Sequence, residues 1–439
     1  MPDAPPTRAR AAVAGWLCGL AGLLYLDRIC MGQAVVPIQR DLGLTNTDMS
    51  LALMAFTLAY GLFAVPAGRW GDRRGPRAVL AALVLAWSLF TGLTGAAAGL
   101  VALVVVRFLF GAAEAGALPT AAKVVARWFP PGERGRVQGV MLAFAQVGAV
   151  VAPAATAVLI EAAGWRWVFP AYGLLGILWA VGFWLWFRDD PAAHRGVNDA
   201  ELRLIRAGSD PGPAAADPGP VPWGRVVTNR GMIVLSLIMV LGAFYTYFFY
   251  SWFQKYLNAA RGVENVEAGL LTSVVMAGSA AGMLGGGWLA DRLSRRAAGP
   301  VAARRRVGVV CYLIAAGCLF LGVRSDDPAA VAALWGLSFC AMHVTLPNWW
   351  VLAIPQAGRH TATLTGLMNG LGVLGALASQ GFVGWYTDRQ EQSYGLTGRP
   401  AWDPLFDVYV GVLLAGAVAW WLYRFTPLPG PREPEGGRG

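Results

Sequence analysis

The chain has 439 residues, 56% of them hydrophobic and only 14% charged, and its mean hydropathy is positive. That composition excludes an ordinary soluble protein. The formal charge of +10 would suggest a nucleic-acid partner in a soluble chain, but most of it falls in loops on one side of the apolar segments, so it reads as an orientation signal and no nucleic acid is expected.

The first ten residues, MPDAPPTRAR, are polar and proline-bearing, and the apolar run after them is long with no clear cleavage site, so it reads as a retained first helix. Twelve apolar spans of about 20 residues follow, the length that crosses a bilayer. They cover roughly 12–34, 49–68, 78–97, 100–123, 137–160 and 166–187, then 231–254, 267–288, 304–323, 330–355, 362–386 and 405–424. Between the sixth and seventh lies one long polar segment, 188–230, whose PGPAAADPGPVP run reads as a flexible linker. The expected organisation is an N-terminal half (1–187), a cytoplasmic linker (188–230) and a C-terminal half with a cytoplasmic tail (231–439). With the N-terminus inside, cytoplasmic ends and loops carry 26 Lys and Arg against seven on the other side, with Arg28 and Arg107 embedded. The positive-inside rule then places both termini in the cytoplasm, in a multi-pass plasma (inner) membrane protein.

Charges inside the spans are the informative residues, because a charge in hydrocarbon costs several kcal/mol and normally faces a bundle interior and a partner. The first span is interrupted by Tyr25-Leu26-Asp27-Arg28, and the fourth carries Arg107 and Glu114. Seven residues are nearly two helical turns, so Arg107 and Glu114 leave one face about 10 Å apart in depth. Two acids and two arginines at mid-membrane suit a proton and anion site: a guanidinium grips a carboxylate in a fork lysine cannot match, and a buried acid's proton affinity depends on which group holds the arginine. The alternative is an acid–arginine pair that staples helices one and four.

Between spans two and three stands Gly68-Arg69-Trp70-Gly71-Asp72-Arg73-Arg74-Gly75, and between eight and nine the degenerate copy Gly287-Trp288-Leu289-Ala290-Asp291-Arg292. Glycines allow a tight turn between close helices, and an acid beside basic residues at the membrane edge can latch one conformation. Gly68, Gly71, Asp72, Arg73, Gly75, Asp291 and Arg292 are therefore the candidate gate. Span seven is aromatic: Tyr245 and Phe249 share a face, and Tyr245 is a candidate to meet substrate hydroxyls, while Trp252 and Tyr256 suit an interfacial belt. His343 reads as an intramembrane histidine bonded to a neighbour, and Gly278, Gly282 and Gly286 as close helix packing. The five cysteines lie in apolar stretches without metal-ligand spacing. No metal, no cofactor and no enzymatic constellation is expected.

These motifs carry a resemblance. The loop between spans two and three is similar to the signature loop of the major facilitator superfamily. Tyr25-Leu26-Asp27-Arg28, Arg107-Phe108-Leu109-Phe110-Gly111-Ala112-Ala113-Glu114-Ala115-Gly116 and Trp128-Phe129-Pro130-Pro131-Gly132-Glu133-Arg134-Gly135 resemble that superfamily's anion:cation symporter family, which holds bacterial galactonate, glucarate and hexuronate transporters and sialin. The resemblance spans nearly the whole chain and is stronger in its first half. It implies an all-α membrane protein of twelve transmembrane helices in two pseudo-symmetric six-helix bundles, working as a monomer by alternating access, with a small organic anion and protons as its partners. Proton-coupled import of a sugar acid is the expected function, with an organophosphate or anion exchanger, or a solute sensor that does not transport, as alternatives. It also implies roles. Asp27 and Glu114 carry protons; Arg28 and Arg107, with Tyr25, Tyr60, Gln146 and Asn369, line the substrate site. The superfamily's antiporter motif in helix five is met at Gly139 and Gly148 but departs at Ala152-Pro153 and Thr156-Ala157, which weakens an exchanger reading.

Overall fold

The computed structural model describes residues 5–207, 221–294 and 299–426. Among them the chain is α-helical with no strands. In the first half run α1 (Ala9–Leu42), α2 (Asn46–Arg74), α3 (Pro76–Thr94), α4 (Leu100–Glu114), α5 (Ala117–Trp128), α6 (Pro131–Ala163) and α7 (Trp165–Trp186). Two short helices follow, α8 (Asp199–Arg206) and α9 (Trp223–Thr228). The second half has α10 (Arg230–Ser251), α11 (Phe253–Arg261), α12 (Asn265–Ser294), α13 (Pro300–Arg324), α14 (Pro328–Ala357), α15 (Thr361–Tyr394), α16 (Arg399–Trp402) and α17 (Leu405–Leu422). Twelve stretches are long and apolar enough to cross a bilayer, in agreement with the twelve expected spans. The fourth is broken: α4 stops at Glu114 and α5 begins at Ala117, with Ala115 and Gly116 forming a turn between them.

Two compact units are present. One gathers 5–207, 248–276 and 380–402; the other gathers 221–247, 277–294, 299–379 and 403–426. In the first unit, an apolar face of α1 (Val13, Leu17, Leu20, Leu24) packs with Trp87 of α3, Phe110 of α4 and Trp179 and Phe183 of α7. Two glycines set how closely its helices cross. A Cβ at Gly148 of α6 would lie 2.4 Å from the Gly22 carbonyl oxygen of α1, and one at Gly111 of α4 would lie 2.4 Å from the Phe56 oxygen of α2. With lipid on the outside there is no hydrophobic drive between helices, so such backbone contact is the principal source of packing energy. In the second unit, Gly278, Gly282 and Gly286 of α12 meet the carbonyl oxygens of Gly336, Cys340 and Val344 of α14 in the same way.

The linker is ordered on both sides of 208–220, which lie outside the described residues and include most of the proline- and glycine-rich run. Asn198 caps α8 through Glu201 N–H at 2.9 Å, and the helix buries Glu201 and Ile205. Arg10 binds Glu201 at 3.0 Å and Glu133 at 2.8 Å, and the Asn198 side chain donates to the Pro5 carbonyl at 2.8 Å. The N-terminal segment is thus tied to the start of the linker. His194 sits edge-on to Trp128 and Trp186, where burial and Arg188 lower its proton affinity below the usual histidine range.

Trp252 and Tyr256 correct the interfacial-belt expectation. Both are fully buried in the first unit, beside the α10–α11 break at Trp252, and Tyr256 packs on Trp402. The expected span 231–254 ends instead at Ser251, and α11 begins at Phe253, so Trp252 and Tyr256 belong to a break and a second short helix.

Candidate functional site

The turn at Ala115–Gly116 follows directly on Glu114, so the acid occupies the last position of α4, opposite Arg28 in the middle of α1. The Arg28 Nε donates to Glu114 Oε1 at 3.0 Å, and its Nη2 reaches the same oxygen. Glu114 is 1% exposed, and its Oε2 has no hydrogen-bond partner among the described residues. Three rings enclose the Arg28 guanidinium, with Cζ 5.5 Å from the Tyr25 centroid, 5.4 Å from Phe56 and 4.7 Å from Tyr60. All are close enough for cation–π attraction.

Arg107 lies two turns before Glu114 and is equally buried, with Cζ 4.4 Å from the Phe110 ring and 5.1 Å from Phe56. Its Nε has no hydrogen-bond partner among the described residues. Glu114, Asp27 and Arg28 are all within its electrostatic reach. Asp27, one residue before Arg28 and therefore about 100° around the helix, points into the unit and not toward the Arg28 cage. Its Oδ2 accepts from Trp87 Nε1 of α3 at 3.2 Å, and its Oδ1 has no partner among the described residues. The site therefore holds two acids and two arginines, each acid with one oxygen unsatisfied among the described residues. Ionised together they sum to zero.

Of the residues expected from sequence, Tyr25, Asp27, Arg28, Tyr60, Arg107 and Glu114 come together in the first unit. Gln146 of α6 is in the same unit and buried. Asn369 lies on an exposed face of α15 in the other unit. Tyr245 departs from the expected cavity face: it is fully buried in the second unit, its hydroxyl 2.5 Å from Ser338 Oγ and its ring against Phe339. His343 bonds the Phe339 carbonyl through Nδ1 at 2.8 Å, as expected of a satisfied histidine. In the candidate gate, Gly75 starts α3 at φ +80°, where a Cβ would lie 2.7 Å from Asp189 Oδ2. Asp189 Oδ1 accepts from Arg77 N–H at 2.9 Å, so an aspartate 112 residues further along the chain, and not one in the loop, caps this helix. The Gly68 carbonyl accepts from Lys123 at 3.4 Å, and Arg292 lies over Trp288. Arg73 is exposed at the end of α2; the surroundings of Gly71 and the side chains of Asp72 and Asp291 lie outside what the structure describes.

Three features were not anticipated. Phe56, four residues before Tyr60 and on the same face of α2, belongs to both arginine cages. Trp87 is the partner of Asp27. The third is a latch at the end of the first unit where α1 gives way to α2. Asp388 of α15 accepts from the backbone N–H groups of Asn46 and Thr47 at 2.9 and 2.7 Å, which are orphan donors at the start of α2. Ser50 donates to the Gln380 carbonyl at 2.9 Å and Thr57 to Gln380 Oε1 at 2.9 Å. Lys255 of α11 bonds Gln39 Oε1 and Asn46 Oδ1. Burial pushes its ammonium down to about 8, with Arg40 adding to the effect and Asp388 and Glu391 opposing it. A signal for Asp388 existed: Gly384-x-x-x-Asp388-Arg389 repeats the spacing of Gly68-x-x-x-Asp72-Arg73 and Gly287-x-x-x-Asp291-Arg292.

Comparison with known proteins places this geometry. The family model described as Major Facilitator Superfamily matches residues 17–380. A protein of Cupriavidus necator named as a probable sulfoacetate transporter is 32% identical over 377 residues, covering 84% of this chain and 86% of that one. The D-galactonate transporter of Escherichia coli is 29% identical over 407 residues, covering 91% of each chain. Among solved structures, a bacterial homolog of the human lysosomal transporter Spinster, in an inward-facing and occupied conformation, superposes with a TM-score of 0.76 at 19% identity, over 95% of this chain and 97% of that one.

Proposed function

The chain belongs to the major facilitator superfamily, within its anion:cation symporter group, and is a secondary transporter of organic anions; we propose that it carries a sugar acid or similar small carboxylate inward together with protons, by alternating access in the plasma membrane.

The observation that carries this reading is the pairing of Arg28 with Glu114. Arg28 is the group a substrate carboxylate needs, and an acid of the protein already holds it. The two are competitors for one guanidinium, and the site's charges already cancel. Adding an anion leaves one excess negative charge in a site with little water, and a proton on Glu114 removes both the competitor and the excess. Asp27, with its own unsatisfied oxygen and Arg107 nearby, supplies a second place for a proton. When the site opens to the cytoplasm, loss of the proton lets Glu114 reclaim Arg28 and expel the anion. Coupling then follows from charge balance in each state.

Galactonate carries one carboxylate on a hydroxylated chain, and sulfoacetate a carboxylate and a sulfonate on one methylene; the carboxylate end that the two relatives' named substrates share suits one guanidinium within an aromatic cage. The lysine and arginine asymmetry of the loops supports an orientation with both termini in the cytoplasm. A cysteine at Ser325, between α13 and α14, should then label from outside intact cells.

The test is uptake by proteoliposomes of D-galactonate, sulfoacetate, D-glucarate and D-glucuronate under an inward proton gradient. Accumulation of one of them above its equilibrium level, abolished by a protonophore, is the expected result. Exchange of labelled for unlabelled anion without any response to the gradient favours an exchanger instead, and transport of none sinks the anion reading.

A further inference from the structure

We propose that Phe56 is a positioning residue for anion binding, its single ring holding the guanidiniums of Arg28 and Arg107 in a desolvated site without occupying their N–H donors. This rests on the reading of Arg28 as the anion's anchor.

The ring is reached by two cations at once. Arg28 Cζ lies 5.4 Å from its centroid and Arg107 Cζ 5.1 Å, while Phe110 and Tyr60 pack against it at 5.3 and 6.0 Å between centroids. Phe56 itself is 4% exposed, so the attraction acts away from water, where it is strongest. Its place is fixed by backbone and not by side-chain packing alone: Gly111 brings α4 against the Phe56 carbonyl and Cα. Any larger residue at 111 pushes the ring off both arginines.

A buried arginine needs something to offset lost hydration. A carboxylate would do so, but it would also occupy the fork that the substrate must grip. An aromatic face attracts the cation through its quadrupole and leaves every N–H donor available for an incoming carboxylate. Arg107 illustrates the arrangement: it is 1% exposed, its Nε lacks a partner among the described residues, and two phenyl rings lie beside it. Arg28 needs the same support at the moment Glu114 is protonated and lets go. Because one ring serves both, altering its electron density changes both arginines together, with no change in volume.

The experiment is a fluorine series. Phe56 is replaced by mono-, di- and trifluorophenylalanine through nonsense suppression, alongside Phe56→Leu and Phe56→Tyr, in the full-length protein in proteoliposomes. The probe is whichever of D-galactonate, sulfoacetate, D-glucarate and D-glucuronate the wild type transports. Each fluorine weakens the negative face of the ring while shape and burial stay nearly constant. The expected result is a stepwise rise in KM, about tenfold at three fluorines, with kcat within twofold, a similar rise for Phe56→Leu, and near-normal values for Phe56→Tyr. A flat fluorine series, in a wild-type protein that transports its probe, overturns the role given to Phe56 and leaves the anion site standing. A series in which kcat falls while KM holds also overturns it, since the ring would then act on the rocking step. A wild-type protein that transports none of the four removes the anion site, and this role with it.

Discussion

Glu114 spends one oxygen on Arg28 and leaves the other without a partner: Nε and Nη2 of the guanidinium converge on Oε1, and Oε2 is buried and unpaired among the described residues. A pair built only to staple α1 to α4 would gain from using both oxygens in a parallel fork. The half-used carboxylate suits a group that must also take up a proton.

Replacing Glu114 by glutamine mimics the protonated acid. Gradient-driven accumulation should be lost, while exchange of labelled for unlabelled anion at equal pH persists, and anion binding becomes insensitive to pH. If exchange and drive fall together with the melting temperature, the pair is a staple. Both activities surviving would hand the coupling role to Asp27, whose Oδ2 accepts from Trp87.

Arg28→Lys keeps the charge but replaces two converging N–H donors with one point donor. Affinity for the transported anion should drop about tenfold or more, near the worth of a charge-assisted hydrogen bond. Equilibrium binding to purified protein measures this directly, and an unchanged affinity would make Arg28 structural.

Asp388→Asn removes the charge that faces the start of α2 and leaves only one acceptor for the two N–H groups of Asn46 and Thr47. Losing such a cap costs about 1–2 kcal/mol. In a cysteine-free background, a cysteine at Thr57, buried against Gln380 in the wild type, should react roughly tenfold faster with a water-soluble thiol reagent. Equal labelling rates would mean that Asp388 does not hold this end closed.

Lys255 gives the latch a pH dependence with a definite sign. Its folded value of about 8 lies below the ordinary lysine value of about 10.4, so between the two the folded protein binds fewer protons than the unfolded one. The cost of the charged form is fully present below pH 8 and is relieved as pH rises through that window, by at most about 1.4 kcal/mol per pH unit. The melting temperature of the wild type should therefore rise relative to Lys255→Met between pH 8 and 10. A constant difference would show that the ammonium is solvated.

The twelve spans were legible because length and apolarity are all that a bilayer demands of a helix, and the four embedded charges stood out against that background for the same reason. Their partners were harder to read. Helical spacing puts Arg107 and Glu114 on one face, yet the hydrogen bonds of Glu114 go across to α1, because the turn at Ala115–Gly116 ends α4 at the acid. Trp252 and Tyr256 suit an interfacial belt only on a helix that continues through 254; the break at Trp252 sets them in the interior. Tyr245 shares a face with Phe249 but finds Ser338, a residue about ninety positions away that no local pattern announces.

The contact of Asp388 with α2 has a consequence for how this protein can vary. Its partners are main-chain N–H groups, which every amino acid except proline supplies. Thr47 can therefore drift while the bond persists. Asn46 is held as asparagine by its side chain's bonds to Lys255 and Gln39 and not by Asp388, and no change at either site needs to track a change at 388. A comparison of covarying positions would pass over this clasp. Only a proline scan of 46 and 47, or removal of the carboxylate itself, would reveal it.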